Sequence, residues 1–308
     1  MGKSGASSKG FGVIVAIIGA FCYGITPTIS KLGYAAGLNS FNLSFARYAC
    51  GIFLMFLVML ATKQSFKVTK RQFVYIMIIA AICMVMILVN FTSYKYLSSG
   101  IALVLAQTGL VFIITMEIVL KQSQSKLYKW VGIVAIFIGV ALIALDPTEG
   151  VEFSTFGLIL ALIGAFLGAL QIFVFNSKTL APLSVQQIFF YEMWLPAIGI
   201  PFIAKAFGYV PFPEGIVQWS YGFVVALLGL VIGLICSYTA IRILGPSTNG
   251  FFNALQPIFA TIAGFVVFHD VISGRMILGS ACIIGAVLAI RVYEASLAKK
   301  AQAAPAEE

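Results

Sequence analysis

The chain has 308 residues, of which 61% are hydrophobic and only 9% are charged, and its mean hydropathy is +1.06. Soluble domains average roughly 45–50% apolar and about 25% charged residues, so this composition excludes a soluble protein and indicates an all-α integral membrane protein. The formal net charge of +9 fits Lys-rich and Arg-rich loops beside a membrane, and no basic patch with interleaved aromatic residues indicates a nucleic-acid partner.

Ten apolar segments follow one another along the chain, each close to the roughly 20 residues that a helix needs to cross the hydrocarbon core. They are predicted at 11–31, 41–62, 73–94, 99–120, 128–145, 156–177, 185–206, 217–240, 247–268 and 275–293. The first follows two lysines, as in a signal peptide, but it is too long for that and lacks a cleavage site. We therefore expect it to remain in the mature protein.

The first segment recurs later in the chain. Residues 11–21 (FGVIVAIIGAF) return at 156–166 (FGLILALIGAF), a shift of 145 residues with eight of eleven positions identical. Each copy opens a series of five spans, and an odd number of spans makes the second half enter the membrane from the opposite side. The sequence thus predicts ten transmembrane helices as two inverted five-helix repeats, an architecture common among secondary transporters.

Loop charges indicate the orientation. With a cytoplasmic N-terminus, 14 Lys and Arg residues face the cytoplasm, four face outward, and Arg47 lies within a span. The positive-inside rule then places both termini in the cytoplasm. The predicted units are a cytoplasmic tail (1–10), a first repeat (11–146), an acidic external linker (147–155), a second repeat (156–293) and a cytoplasmic tail (294–308).

Two ionisable residues lie deep within predicted spans, where an unpaired charge costs roughly 2.5–3.5 kcal/mol. Arg47 and Glu192 are 145 residues apart, so they occupy equivalent positions in the two repeats. Arg47 is a candidate anchor for a substrate carboxylate or phosphate, and Glu192 a candidate proton-binding or cation-binding group that couples transport. Measured from the span ends, Arg47 is expected in the outer half and Glu192 in the inner half. The alternative is that Arg47 reaches the outer surface and Glu192 finds local donors.

Uncharged polar residues recur at similar depth on several spans. Asn249, Asn253 and Gln256 share one helical face directly before Pro257. The set predicts a water-filled cavity, although each member alone is equally well explained as a contact between helices. The candidate substrate-binding residues are Tyr23, Thr26, Arg47, Asn90, Tyr94, Gln107, Gln171, Glu192, Tyr238, Asn253 and Gln256.

The five cysteines all fall in apolar segments without paired or metal-ligand spacing, and no catalytic constellation, nucleotide-binding motif or metal motif is present. We therefore expect no enzyme activity, no cofactor, no bound metal and no use of ATP.

Several stretches resemble the EamA domain of the drug/metabolite transporter superfamily. In the second half they are residues 238–246 (YTAIRILGP) and 254–264 (ALQPIFATIAG), and in the first half residues 94–100 (YKYLSSG) show the same pattern. The resemblance extends from about Gly10 to Arg291 as two copies. It implies ten spans, a central cavity between the halves and transport of small metabolites by alternating access. The chain departs from the family in having Asp270 where Glu is usual, and Leu110 where the second copy has Pro257.

The sequence therefore predicts a secondary transporter of the cell membrane that exports a small polar metabolite, such as an amino acid, with protons as a possible coupling ion. Two alternatives stay open. One is a proton-coupled exporter of organic cations or drugs, in which Glu192 alternately holds a proton and the substrate. The other is an intramembrane lipid-modifying enzyme, which the lack of a catalytic cluster disfavours.

Overall fold

The computed structural model describes residues 3–119, 127–144, 154–175, 177–244, 249 and 252–303, and all regular structure in these residues is helical. The helices are α1 (Lys3–Gly24), α2 (Thr26–Ala35), α3 (Ser40–Ala61), α4 (Lys70–Ser93), α5 (Ser99–Ala106), α6 (Gly109–Val119), α7 (Leu127–Ala144), α8 (Thr155–Phe175), α9 (Val185–Glu192), α10 (Trp194–Ala206), α11 (Gly215–Val225), α12 (Gly233–Leu244), α13 (Gln256–Phe268) and α14 (Gly274–Ala303). A π-helical segment, Ala226–Ile232, joins α11 to α12.

Seven helical stretches of the described chain are long and apolar enough to span a bilayer. They are Gly10–Ala35, Ser40–Ala61, Lys70–Ser93, Ser99–Met116, Thr155–Phe175, Val185–Ala206 and Gly215–Ile241. Three shorter apolar helices, Trp130–Ile143, Gln256–Phe268 and Gly274–Ile290, fall within predicted spans five, nine and ten. The all-helical membrane architecture is confirmed, whereas ten crossings stay a prediction.

Several of the long stretches are interrupted near their middle. α1 gives way to α2 at Ile25, and α13 begins after a turn at Ala254–Leu255. Both breaks directly precede a proline, Pro27 or Pro257, whose ring clashes with the preceding turn and which has no N–H to donate. The two prolines therefore account for both bends.

Two further interruptions were not predicted. α5 ends at Ala106 and α6 begins at Gly109, and α9 ends at Glu192 just before Met193. In the first break the carbonyl of Leu105 accepts from both the backbone N–H of Thr108 at 3.0 Å and the Thr108 hydroxyl at 2.7 Å, so the carbonyl is satisfied within the break. Breaks of this kind are found where backbone borders a cavity or another helix rather than lipid.

The two halves of the chain interlock. Helix α1 packs along α12, α8 along α4, α5 against α13, and α7 along α14, so each of these pairs joins one half to the other. Small residues allow the closest approaches: a Cβ on Gly139 of α7 would lie 2.6 Å from the backbone oxygen of Gly279 on α14, and the reverse distance is also 2.6 Å. The pairing of span one with eight and of six with three is what a two-fold relation between repeats requires.

Candidate functional site

A polar-lined cavity with a volume of about 620 Å³ lies between the two halves. We call it the main cavity. Its wall includes residues from α1, α3, α4, α8, α9, the π-helical segment and α12, namely Tyr23, Arg47, Tyr48, Cys83, Met86, Gln171, Ile172, Phe175, Phe189, Glu192, Gly229, Leu230, Leu234, Ser237, Ile241, Asn249 and Asn253. A volume in the range of roughly 300–1,000 Å³ suits a small organic molecule.

Arg47 is positioned by a well-capped helix and by two aromatic rings. α3 begins with a capping box in which Asn39 and Asn42 exchange hydrogen bonds, and Arg47 lies two turns further on. Its guanidinium carbon is 5.3 Å from the ring centre of Tyr48 and 5.7 Å from that of Phe91, distances at which the ring faces attract a cation. The Arg47 side chain therefore lies inside the bundle, on the cavity wall.

Glu192 lies at the last residue of α9, where the helix is interrupted. α9 starts at a capping box of Ser184 and Gln187, and the Gln187 side chain also donates to the carbonyl of Ser65 at 2.5 Å. The hydroxyl of Tyr191 donates to the carbonyl of Phe66 at 2.6 Å, which fixes α9 to the α3–α4 loop. Glu192 itself is only 4% exposed, and its carboxyl group is held toward the cavity and near Cys83 and Arg47.

Four buried polar atoms of the main-cavity residues have no hydrogen-bond partner among the described residues. They are Nε of Arg47, Oε2 of Glu192, Oγ of Ser237 and Oδ1 of Asn249. A buried polar atom without a partner costs about 1–3 kcal/mol, so such atoms are rare unless water or a ligand satisfies them. Their convergence on one cavity is typical of a binding site.

A second cavity of about 320 Å³ adjoins the first and shares Met86, Gln171, Ile172 and Asn253 with it. We call it the amide cavity, because the polar side chains of its wall are amides: Asn90, Gln107, Gln171, Asn253 and Gln256. Gln256 donates to the side-chain oxygen of Asn253 at 3.3 Å, and Gln107 donates to its backbone oxygen at 3.3 Å. The Gln107 bond joins the breaks of spans four and nine, whereas the Gln256 bond lies within span nine.

Most of the predicted site residues meet at these two cavities. Tyr23, Arg47 and Glu192 line the main cavity, Asn90, Gln107 and Gln256 line the amide cavity, and Gln171 and Asn253 line both. Asn249 of the predicted stripe reaches the main cavity, but the turn at Ala254–Leu255 means that the stripe does not continue along one straight helix.

Two predicted residues, Thr26 and Tyr94, lie outside the lining of both cavities, and the side chain of a third is not described. The hydroxyl of Thr26 donates to the carbonyl of Cys22 at 3.1 Å, within its own helical turn. Tyr94 is buried against Phe91, with ring centres 5.6 Å apart, outside both sets of lining residues. The Tyr238 side chain lies outside the described side chains.

Sequence reasoning missed Tyr48, Cys83 and Ser237, which the structure places on the main-cavity wall. Tyr48 and Cys83 are also linked, since the Tyr48 hydroxyl lies 3.5 Å from the carbonyl of Cys83. Tyr48 directly follows Arg47 in the sequence. A single tyrosine or cysteine in an apolar segment does not show from the sequence whether it lines a cavity or packs between helices.

At one end of the bundle, α5 and α13 cross closely. A Cβ on Gly100 would overlap the Thr261 hydroxyl and lie 3.2 Å from the Thr261 Cα, so only glycine fits. One turn further on, a Cβ on Gly264 would lie 2.5 Å from a carboxylate oxygen of Asp270 and 3.4 Å from the Ser99 Cβ. We call this contact the α5–α13 crossing, and it lies on the side of the amide cavity away from α6.

A sequence model described as the EamA-like transporter family matches the chain twice, at residues 10–145 and 155–292. Among solved structures, a protein described only as "Crystal structure of protein" is similar, with a TM-score of 0.61 and 17% sequence identity. The alignment covers 90% of this chain and 98% of that one, so the two share a fold over nearly their full length. No curated protein matches the sequence.

Proposed function

We propose that this chain, which belongs to the EamA-like transporter family of the drug/metabolite transporters, is a secondary active transporter that exports a small zwitterionic metabolite, such as an amino acid. The observation that carries the substrate class is the placement of one cation and one anion, Arg47 and Glu192, on the walls of the same cavity.

A zwitterion complements this pair better than a singly charged molecule does. A guanidinium forms paired hydrogen bonds with a carboxylate, and a carboxylate accepts hydrogen bonds from an ammonium group. Arg47 and Glu192 both line the main cavity, so a bound zwitterion would contact both side chains, although Nε of Arg47 and Oε2 of Glu192 are themselves fully buried. Both protein charges would then be neutralised at once, which removes much of the cost of holding them in the membrane.

The same site suggests the coupling ion. Glu192 is a buried carboxyl group on the cavity wall, and a carboxyl group at membrane depth can bind a proton at one face and release it at the other. We therefore propose protons as the coupling ion and Glu192 as the residue that carries them.

Ten crossings, two repeats at 11–146 and 156–293, and cytoplasmic termini in the cell membrane complete the proposal. In this orientation the main cavity, whose wall includes Phe175 at the end of α8 and Phe189 near the start of α9, lies toward the cytoplasm. The α5–α13 crossing lies toward the outside. Transport would alternate this arrangement with one in which the crossing separates, with bends at Pro27 and Pro257.

A second candidate, export of organic cations, is favoured by the aromatic residues near Glu192. Tyr48, Phe175 and Phe189 share the main-cavity wall with it, and ring faces attract a cation that a carboxylate also binds. In this case Glu192 would exchange a proton for the substrate and Arg47 would not contact it.

Counterflow in proteoliposomes separates these candidates. Vesicles loaded with an unlabelled mixture of neutral amino acids are expected to accumulate a labelled amino acid, while vesicles loaded with amines or sugar phosphates are not. The Arg47→Gln variant should lose this exchange, and Lys205→Gln, which removes an exposed cation far along α10, serves as its control. Exchange of amines alone, unaffected by Arg47→Gln, would favour the organic-cation function instead.

A further inference from the structure

We infer that the amide cavity is a second subsite that recognises an uncharged hydrogen-bonding group, such as a carboxamide or hydroxyl, at the far end of the substrate. The inference rests on the proposed function, in which the ionic end of the substrate lies between Arg47 and Glu192. It specifies what the other end of the substrate must be.

The two cavities are adjacent, so that one molecule can occupy both. Gln171 of α8 and Asn253, just before α13, face each of them, and Met86 and Ile172 complete the shared wall. A substrate whose charged groups lie in the main cavity can therefore extend past Gln171 into the amide cavity.

The lining of the amide cavity disfavours a charged group. Among the described residues on its wall, the polar side chains are amides and the others are apolar or glycine, so no ionisable side chain offers a counter-charge. An ion without a counter-charge or a full set of hydrogen bonds is costly at this depth. A second carboxylate or ammonium on the substrate would therefore bind poorly.

The hydrogen bonds of the amides disfavour an apolar group as well. Gln107 and Gln256 each donate to Asn253, whereas the side chains of Asn90 and Gln171 form no hydrogen bond with any described residue. An apolar substrate group would displace water from these two amides and leave them unpaired, which weakens binding. A carboxamide offers both donors and an acceptor and can pair with both.

The packing of Asn90 shows how the subsite is built. Its side-chain oxygen lies in the space that a Cβ on Gly164 would occupy, so α8 allows the amide to lie between α4 and α8 only because residue 164 is glycine. Glycine at this point lets a polar side chain lie at the junction of the two halves.

Three amino acids of similar length test the inference in proteoliposomes that contain the full-length protein. L-glutamine, L-methionine and L-glutamate share the zwitterionic end and differ at the far end, which is uncharged and polar, apolar, or charged. We expect glutamine to exchange with an apparent affinity at least about tenfold higher than the other two, since one unmade hydrogen bond of about 1.4 kcal/mol corresponds to tenfold.

The Gln171→Met variant keeps the length of the side chain but removes its amide, and should bring glutamine and methionine to within about twofold of each other. Asn90→Ser is a second variant with the same expected direction and a smaller side chain. Ile159→Leu, an exposed position on the same helix, is the control that should keep the wild-type ranking. The melting temperature of each variant confirms that it is folded.

The outcomes separate the inference from the proposed function. If the wild type exchanges amino acids but prefers methionine or glutamate, or if its preference for glutamine survives Gln171→Met and Asn90→Ser, the polar subsite is wrong and zwitterion transport stands. If none of the three amino acids exchanges, both are overturned.

Discussion

Gly100 of α5 and Thr261 of α13 are in direct contact, and the Thr261 hydroxyl, which donates to the carbonyl of Pro257 at 2.8 Å, occupies the space where a side chain on residue 100 would begin. Thr261 Cα is only 3.2 Å from that position, so a rotation of the threonine side chain would not make enough room. The contact joins the two repeats: α5 precedes the break of span four in the first repeat, and α13 follows the break of span nine in the second.

Gly100→Ala should therefore separate α5 from α13. Overpacking of a close contact costs typically about 1–3 kcal/mol, and we expect a melting temperature lower by a few degrees, together with slower exchange of substrate. Thermal unfolding in detergent and counterflow measure the two effects. Gly285→Ala, at a glycine with no atom within 4 Å of the added Cβ, is the control and should match the wild type. An unchanged melting temperature for Gly100→Ala would mean that this crossing is not closed in the protein in solution.

The amides beside the break of span nine should be needed for transport rather than for folding. Asn253→Leu and Gln256→Leu remove the hydrogen bond between these two side chains and make part of the cavity wall apolar. Each is expected to lower substrate exchange at least about tenfold. The melting temperature should stay near that of the wild type, since the lost bond lies within one span and even a polar contact between membrane helices contributes only about 0.6 kcal/mol. Ile262→Leu, on the exposed side of α13, is the control. Normal transport by both variants would show that these amides only hold helices together.

Glu192→Gln imitates the permanently protonated carboxyl group. If Glu192 carries the coupling proton, this variant should no longer accumulate substrate in response to a pH gradient. Substrate exchange, which moves no net proton, should persist with a lower apparent affinity, because the amide of glutamine keeps an acceptor oxygen for the substrate ammonium but loses the negative charge. Uptake driven by an imposed pH gradient, compared with counterflow in the same vesicles, measures the difference. Glu214→Gln changes an exposed carboxyl group and should leave both activities intact. Full pH-driven transport by Glu192→Gln would exclude Glu192 as the coupling residue, and a joint loss of stability and both activities would make it a structural residue.

The proposed orientation can be tested with single cysteines in a protein without its native cysteines. Lys67, in the α3–α4 loop, and Lys205, in the last turn of α10, are both exposed and are predicted on opposite sides of the membrane. In intact cells, a membrane-impermeant maleimide should label Lys205→Cys and not Lys67→Cys, and permeabilisation should make both reactive. Labelling of Lys67→Cys from outside would reverse the topology and with it the direction of the cavity.

Hydropathy predicted the helices because a membrane span depends on the local sequence. About 20 consecutive apolar residues are enough for a helix to cross the bilayer, whichever helices it packs against. Pro27 and Pro257 also act locally, and the breaks beside them were predictable for that reason. That Arg47 and Glu192 line the same cavity was not predicted from the sequence. Depth was measured along straight helices, which placed the two residues in opposite halves of the membrane. In the structure α9 ends at Glu192, and both side chains lie on the wall of a single cavity.

Tyr94 was predicted to line the cavity but lies outside the lining of both cavities. Its polar hydroxyl and its spacing of four residues from Asn90 indicated a common cavity face, but Tyr94 is the residue that directly follows α4, and its ring packs on Phe91 instead. Packing between distant parts of the chain decides whether a tyrosine faces a cavity or a neighbouring ring. The spacing of residues along one helix does not predict such packing.

The π-helical segment lies where the two repeats differ in length. The starts of α4 at Lys70 and α11 at Gly215 keep the shift of 145 residues, but the later breaks, at Gln107–Thr108 and at Ala254–Leu255, are 147 residues apart. The second repeat thus has two more residues between these points than the first, and the π-helical segment Ala226–Ile232 lies within this longer stretch. Gly229, in the middle of it, is the residue where an added Cβ would lie 4.0 Å from a terminal nitrogen of Arg47. The two repeats therefore differ in backbone beside the Arg47 guanidinium, so the cavity wall near this residue has no equivalent in the other half.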